Sequence, residues 1–460
     1  MTINGGISFW YAELGGAPAL RAPLAGDATV DVCIVGAGYT GLWAAYYLKR
    51  ADPALKVMVL EQRFAGFGGS GRNGGWLSGA FEWSRDRYLA SGGSRAGVIA
   101  MQTTMAASVE EVIARAEEEG ITADIRRCDK LLVARNAAQG ARLRAYGQEM
   151  LDWEVPADRL NWLDGAAAQR RIALDQVESA LAIHGVARVQ PAKLARGLAV
   201  AAERRGVVIH EGTRVTAIHP GRVETAQGTV RAGTILRATE GFTAGLPGLE
   251  REWLPLNSAI IATEPLSEAQ WRAIGWDGHE ILGDFAHAYF YAQRTASGRI
   301  AFGGRGIPYR YGSRTDTDGQ TQAATIRILH ATLLRHLPQL RGVAIEHGWC
   351  GVLGVPRDWC ATVGLDTETR IGWAGGYVGL GVSTSNVAGR TLADLTLGRD
   401  SDLAGLPWVN RRVKRWEPEP LRWLAVNGLY AAYRQADRME EDGRADTALI
   451  ARLADRIVGH

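Results

Sequence analysis

Lysine is scarce in this chain and cysteine scarcer. Of 52 basic residues in 460 only five are lysine, and the four cysteines, Cys33, Cys128, Cys350 and Cys360, form no C-x-x-C pair. Without that spacing neither a zinc site nor a disulfide framework is expected, and no metal is assigned. No run reaches the roughly 18 uncharged apolar residues of a membrane span, and the first thirty residues hold no apolar leader segment. A cytoplasmic protein with no transmembrane segment is therefore expected. Net charge is only +3, and no basic run is interleaved with aromatics, so nucleic acid is not an expected partner. Repeats and low-complexity tracts are absent too. What remains is ordinary globular composition, 47% hydrophobic and 22% charged, in a chain long enough for two or three domains.

Glycine, in contrast, is plentiful, with 57 residues. The chain is organised around Asp31 to Glu61, DVCIVGAGYTGLWAAYYLKRADPALKVMVLE. Val32 to Gly36 reads as a buried parallel strand, and Gly36, Gly38 and Gly41 follow at G-x-G-x-x-G spacing. The first glycine permits the sharp turn, the second lets a pyrophosphate approach the backbone, and the third lets the helix Leu42 to Lys49 pack closely. Phosphates would sit on that helix's free amides, at the positive end of its dipole. Three such glycines alone are a weak signal in so glycine-rich a chain. Here they follow a strand, open a helix, and precede a second strand, Val57 to Leu60, which delivers Glu61. A carboxylate there accepts ribose hydroxyl protons and repels a 2'-phosphate, so the motif points to FAD or NAD rather than NADP.

After Glu61 comes QRFAGFGGSGRNGGWLSG, too glycine-rich for a regular element. A linker is one reading, but Ser70, Arg72 and Asn73 supply donors that a linker does not need. Periodicity predicts helices over Val98 to Glu119, Ala138 to Trp153, Ala192 to Arg205 and Thr321 to Leu337, and mostly β structure from Trp253 to Gly304. Strand-like Ile371 to Ala374 leads into GGYVGLGVSTSNVAGR, a second glycine turn feeding a second helix. The aromatic run Phe9, Trp10, Tyr11 reads as a staple onto the body or an interface. The tail around Trp416, Pro418, Pro420 and Trp423 reads as a wrap leading to final helices, with a dimer contact or pocket lid as alternatives.

Four blocks, the first glycine turn with Glu61, GFGGSGRNGGWL, the helix entry His184 to Pro191, and GGYVGLGVSTSNVAGR, make the chain resemble one family. It resembles the FAD-dependent amine and amino-acid oxidases of the D-amino-acid oxidase superfamily, and among them the γ-glutamylputrescine oxidoreductases. The resemblance implies an α/β chain: an FAD-binding Rossmann-like domain of the glutathione-reductase type, interleaved with a mainly antiparallel β-sheet substrate domain. The expected division is an N-terminal arm over 1–29, the FAD domain over 30–80, 185–243 and 345–400, the substrate domain over 81–184 and 244–344, and a helical extension over 401–460. By position the resemblance implies FAD contacts at Gly36, Gly38, Tyr39, Thr40 and Gly41, at Glu61 and Gln62, at Ser70, Arg72, Asn73, Gly74 and Gly75, at Val215, and at Gly376, Gly379, Leu380, Gly381 and Val382.

Family chemistry implies hydride transfer from the carbon beside an amine to FAD, leaving an imine that water hydrolyses. The partners implied are a small-molecule amine, oxygen or another electron acceptor, and a possible homo-oligomer. The cofactor carries the hard step, so no catalytic acid or base is assigned. Candidate pocket residues are Trp76, beside the glycine loop, Tyr289 and Tyr291, two apart on one strand, His184, and Arg305. His184 and Arg305 each have a plain structural alternative, as a satisfied histidine and a solvated loop arginine. An arginine at the pocket edge would favour a substrate carrying a carboxylate or phosphonate. Sarcosine oxidases of similar fold use a lysine over the flavin to help oxygen react, and none lies between residues 244 and 344, so rapid use of oxygen is not expected and a dehydrogenase passing electrons to a quinone or partner protein stands as the alternative. Cys350, in HGWCGVLG, is near where some relatives attach flavin covalently, and a structural thiol is the competing reading.

Overall fold

The strand Ala28–Val35 sets the architecture: its first half alternates between exposed and half-buried residues, and its second half, Val32 to Val35, is buried on both faces. Such a strand needs partners on each side and cover above and below. In the computed structural model, which describes residues 2–304, 309–315, 318–444 and 446–458, it receives both. Thr229–Arg237 pairs with it in parallel on one side and Val57–Leu60 in parallel on the other. Among the described residues these belong to an eight-stranded sheet, completed by Val208–His210, Ile371–Gly375, Thr362–Leu365 and the hairpin Val215–His219 with Arg222–Thr225.

The helix Tyr39–Ala51 covers this sheet. Its residues Leu42, Trp43, Ala44, Ala45, Tyr46 and Leu48 are all fully buried, because a second helix, Gly381–Leu397, lies across it. Gly389 marks the crossing: a Cβ there would stand 2.5 Å from that of Trp43. The helices that follow the two glycine turns are thus packed on each other. Arg95–Glu118, which the sequence assigned to the substrate side, also adds Val98, Met101, Met105, Val109 and Val112 to this core.

A second sheet has ten strands among the described residues, mostly antiparallel, in the order Ile3–Asn4, Ile345–Val355, Leu254–Thr263, Ile300–Gly304, Phe290–Arg294, Ile281–Asp284, Arg126–Ala134, Ser179–Arg188 and Trp76–Leu77, with Leu160–Asp164 beside Ser179–Arg188. The whole is the mixed α/β architecture expected. Sheet membership departs from the expected domain boundaries in three places. Ile345–Val355, expected to open the third FAD piece, pairs along its length with Leu254–Thr263. Trp76–Leu77 and Ser179–Arg188 pair with each other in this second sheet, so the chain changes sheets inside the segments 30–80 and 185–243. Local pattern marks a strand, but only pairing decides which sheet it joins.

The N-terminal arm is a support. Phe9, Trp10 and Tyr11 are buried; Trp10 Nε1 donates to the Asn73 carbonyl at 2.8 Å and Ser8 Oγ to the Gly71 carbonyl at 2.8 Å. Both bonds hold the glycine-rich loop from behind.

Candidate functional site

The strand Ala28–Val35 ends at Gly36, whose φ of +105° belongs to the glycine region. The turn brings the start of helix Tyr39–Ala51 against the loop, and the Tyr39 amide donates to Ser70 Oγ at 2.8 Å. Gly38, at the helix N-cap, provides no side-chain cap, so the remaining first-turn amides need partners from outside the helix. The same holds at Gly381–Leu397, capped by Leu380 without a side-chain bond. Thr40 Oγ1 and the Tyr377 hydroxyl, 2.8 Å apart, tie the two turns together.

Between these turns lies a cavity of about 460 Å³. Of the positions expected to touch FAD, Gly36, Gly38, Tyr39, Thr40, Glu61, Gln62, Ser70, Asn73, Val215, Gly379, Gly381 and Val382 line it. Others have different local tasks. Gly41 lies under the turn, where a Cβ would meet the Gly36 carbonyl oxygen at 2.0 Å. Arg72 is buried, its Nε donating to the Phe67 carbonyl at 2.7 Å and its guanidinium 4.2 Å from the centre of the Phe67 ring. Gly74 gives room to the Tyr291 ring, Gly75 to Gln293, and Gly376 to Pro356. Leu380 serves as the helix cap.

Glu61 lines the cavity, its two oxygens accepting from the amides of Ala37 and Arg63, each at 2.9 Å. Burial pushes its carboxyl above the usual range, against the pull of those amides. Sequence reading missed a second acid, Glu240, although it follows the strand Thr229–Arg237 much as Glu61 follows Val57–Leu60. Glu240 also lines the cavity and accepts from the amides of Gly354, Gly376 and Tyr377, the last two at 2.9 and 3.2 Å. Burial outweighs these bonds and pushes it up to about 7. Two helix starts without side-chain caps, a glycine-lined passage and an acid with two amide-held oxygens fit a dinucleotide.

A second cavity, of about 640 Å³, opens on the other sheet. The same loop serves both: Asn73 lines the first and Trp76 the second. Aromatic walls come from Trp76, Phe81, Trp83, Tyr146, Trp153 and Tyr289. Charged groups are set among them. Lys130, on the strand Arg126–Ala134, is almost wholly buried with its ammonium 2.5 Å from Glu82 and 5.9 Å from the Trp76 ring centre. Burial works against that charge, but the Glu82 carboxylate prevails and keeps the ammonium protonated. Arg85 pairs with Glu149 at 2.7 Å. Asp284 is pushed up to about 7 by burial, with one bond from the Phe290 amide opposing.

The remaining candidates separate. Tyr291 does not share a wall with Tyr289: its ring lies against Gly74 and Gly303, and its hydroxyl is 2.9 Å from Ser258 Oγ. His184 lines neither cavity; its Nδ1 is 2.8 Å from Asp129, which also binds Arg171. Arg305 lies outside the described residues. Cys350 is buried within the second sheet's core, its thiol 3.2 Å from the Gln320 carbonyl. Lys130 lies far from the segment 244–344 in sequence, and only strand pairing in the second sheet brings Arg126–Ala134 beside Ile281–Asp284.

Residues 31–395 match the family described as DAO, FAD dependent oxidoreductase. The γ-glutamylputrescine oxidoreductase of Escherichia coli (strain K12) is 32% identical over 410 residues, covering 87% of this chain and 92% of that protein. The glycine oxidase of Geobacillus kaustophilus (strain HTA426) is 26% identical over 392 residues, covering 81% and 95%. Among solved structures, glycine oxidase from Geobacillus kaustophilus superposes with a TM-score of 0.69 at 20% identity, covering 84% of this chain and 100% of that one. L-proline dehydrogenase from P.horikoshii gives 0.67 at 19%, covering 82% and 95%. No helix among the described residues is long and apolar enough to cross a membrane.

Proposed function

The chain belongs to the family of FAD dependent oxidoreductases, and from that premise we propose that it oxidises the C–N bond of a small primary or secondary amine held in the aromatic cavity. The observation that carries this reading is the shared loop: Asn73 borders the dinucleotide-shaped cavity and Trp76, three residues on, borders the aromatic one. The Gly36–Gly41 turn and Gly379–Val382 would hold the phosphates and the far end of FAD, and Glu61 its ribose. Bound FAD supplies the acceptor for the hydride that leaves the carbon beside nitrogen. The protein's part is to orient the amine and exclude water. Trp76 and Tyr289 offer apolar contact to the alkyl part and cation–π attraction to the ammonium form on entry. Above pH 7, Asp284 adds a negative charge to that wall. The resulting imine, released to water, gives an aldehyde or keto product. The relationship to a γ-glutamylputrescine oxidoreductase and to a glycine oxidase supports amines and amino acids as the class to test.

The test mixes the purified, FAD-loaded protein anaerobically with γ-glutamyl amines, N-methyl amino acids, simple amines and aminophosphonates while the flavin band is followed. Bleaching by one class is the expected result, and admitting air then reads whether oxygen is the acceptor. If no member bleaches the flavin, the amine reading is lost. With a reducing amine in hand, Trp76→Ala should raise its KM on the order of tenfold while FAD content stays constant. Glu61→Gln should do the reverse, weakening FAD about tenfold in a flavin fluorescence titration without altering the KM for the amine. An unchanged FAD affinity would remove Glu61 from the ribose role.

A further inference from the structure

The helix Leu421–Glu441 lies beyond the residues that match the family, yet its side chains hold a wall of the aromatic cavity. Phe285, Ala286 and Tyr289 line that cavity from the connection between the strands Ile281–Asp284 and Phe290–Arg294. This connection bonds outward to the helix. Asp437 accepts from the amides of His287 and Ala288, each at 2.8 Å and each on a different oxygen. Glu440, fully buried, meets His287 Nε2 at 3.0 Å and takes both terminal nitrogens of Arg142 at 2.9 and 2.8 Å. Arg142 in turn donates to the Phe285 carbonyl at 2.9 Å, and the His287 ring stacks on Tyr433 with an interplanar angle of 12°.

Ligand atoms of His287, Asp437 and Glu440 lie within 4.8 Å of one another, a spacing compatible with a metal ion. Their bonds argue for another use. Glu440 is already neutralised by a guanidinium, and both Asp437 oxygens are occupied by amides. Burial alone would raise the Glu440 carboxyl, but His287 and Arg142 outweigh it and hold it down to about 2. The charge is spent on fixing the connection.

We propose that Asp437 and Glu440 are positioning residues for substrate specificity, holding Phe285–Tyr289 as the outer wall of the amine cavity and so setting the size of amine it admits. The proposal rests on the second cavity being the amine site. A connection whose amides are fixed by one carboxylate of a separate helix and whose His287 ring is fixed by another opens only when those bonds break together, so weakening one loosens the whole segment.

Asp437→Asn keeps the shape and one acceptor while removing the other. Hydrogen exchange of the segment 285–290 should quicken about tenfold in this variant, with the strand Val57–Leu60 unaltered. With a reducing amine, KM should rise about tenfold while kcat stays within about threefold, and bulkier amines should lose selectivity least. Glu440→Gln is the second variant and should act in the same direction. Unchanged exchange in both variants overturns the strap, and faster exchange with unchanged KM overturns its link to the cavity. Exchange is read without substrate, so a failure of the amine reading, seen as no bleaching by any amine, is distinguishable from a failure of the strap.

Discussion

Gly41→Ala is expected to purify without FAD and with lowered stability. The added Cβ would stand 2.0 Å from the Gly36 carbonyl oxygen and 3.2 Å from the Ile34 side chain. Both the Cβ and that oxygen are fixed to backbone, so no rotamer relieves the contact. Either the helix Tyr39–Ala51 lifts away from Trp43's packing or the turn at Gly36 opens, and each displaces Gly36, Gly38 and Thr40 from the cavity wall. The cost should reach the upper end of overpacking, about 3 kcal/mol. The ratio of flavin to protein absorbance reads the first effect, and the unfolding midpoint of the apoprotein the second. Gly379→Ala is the informative contrast. At Gly379 the Cβ would meet nothing within 4 Å, and only the backbone φ of +101° is disfavoured. It should fold with a smaller loss, on the order of 1 kcal/mol. If Gly41→Ala binds FAD as the parent does, the close-approach account of the turn fails.

The second large effect is a pH-dependent gain of stability in Glu240→Gln relative to the parent. Glu240 is pushed from 4.5 up to about 7 in the folded state. A raised carboxyl pKa means that between these values the folded chain holds a proton that the unfolded chain has lost. Its favourable contribution is complete below about 4.5, declines as pH rises towards 7, and is gone above 7. Over that window the parent should lose stability on the order of 3 kcal/mol relative to the glutamine variant. Asp284, raised from 3.8 to about 7, acts in the same direction. His279 and His336 act in the opposite one: burial lowers them to about 4 and about 3, so they favour the folded state as pH rises. The parent's own profile mixes these signs, and the meaningful quantity is the difference between variant and parent. Urea unfolding of the apoproteins at intervals from pH 4.5 to 8 measures it. Parallel curves would show that Glu240 does not titrate in this range.

Some of this molecule follows from residue order alone. The turn Gly36 to Gly41, the strand Val57–Leu60 and the helix after Gly381 are legible because each signal is local: a glycine is required where backbone approaches backbone, and a helix announces itself every 3.6 residues. The acid after the second strand belongs to the same kind of signal. Glu240 also follows a strand, but at a greater distance and with no glycine motif beside it to mark it. Tyr289 and Tyr291 show where local reading stops. Period 2 puts them on one face, but Tyr289 precedes the strand and borders a cavity, while the ring of Tyr291 is taken up by the room above Gly74 and Gly303.

By itself, then, the sequence determined the cofactor side of this protein: a dinucleotide fold, an acid after the second strand and two glycine turns opening helices. Those features depend on spacing within short segments. Only the tertiary structure decided the other side, which assembles Trp76, Lys130, Tyr146, Asp284 and Tyr289 from separate segments, routes Ile345–Val355 into the second sheet and sets His184 against Asp129 outside both cavities. Strand pairing and long-range charge contacts bring together residues that carry no mark of one another along the chain. The packing free energy that joins them is a property of surfaces and not of sequence neighbours.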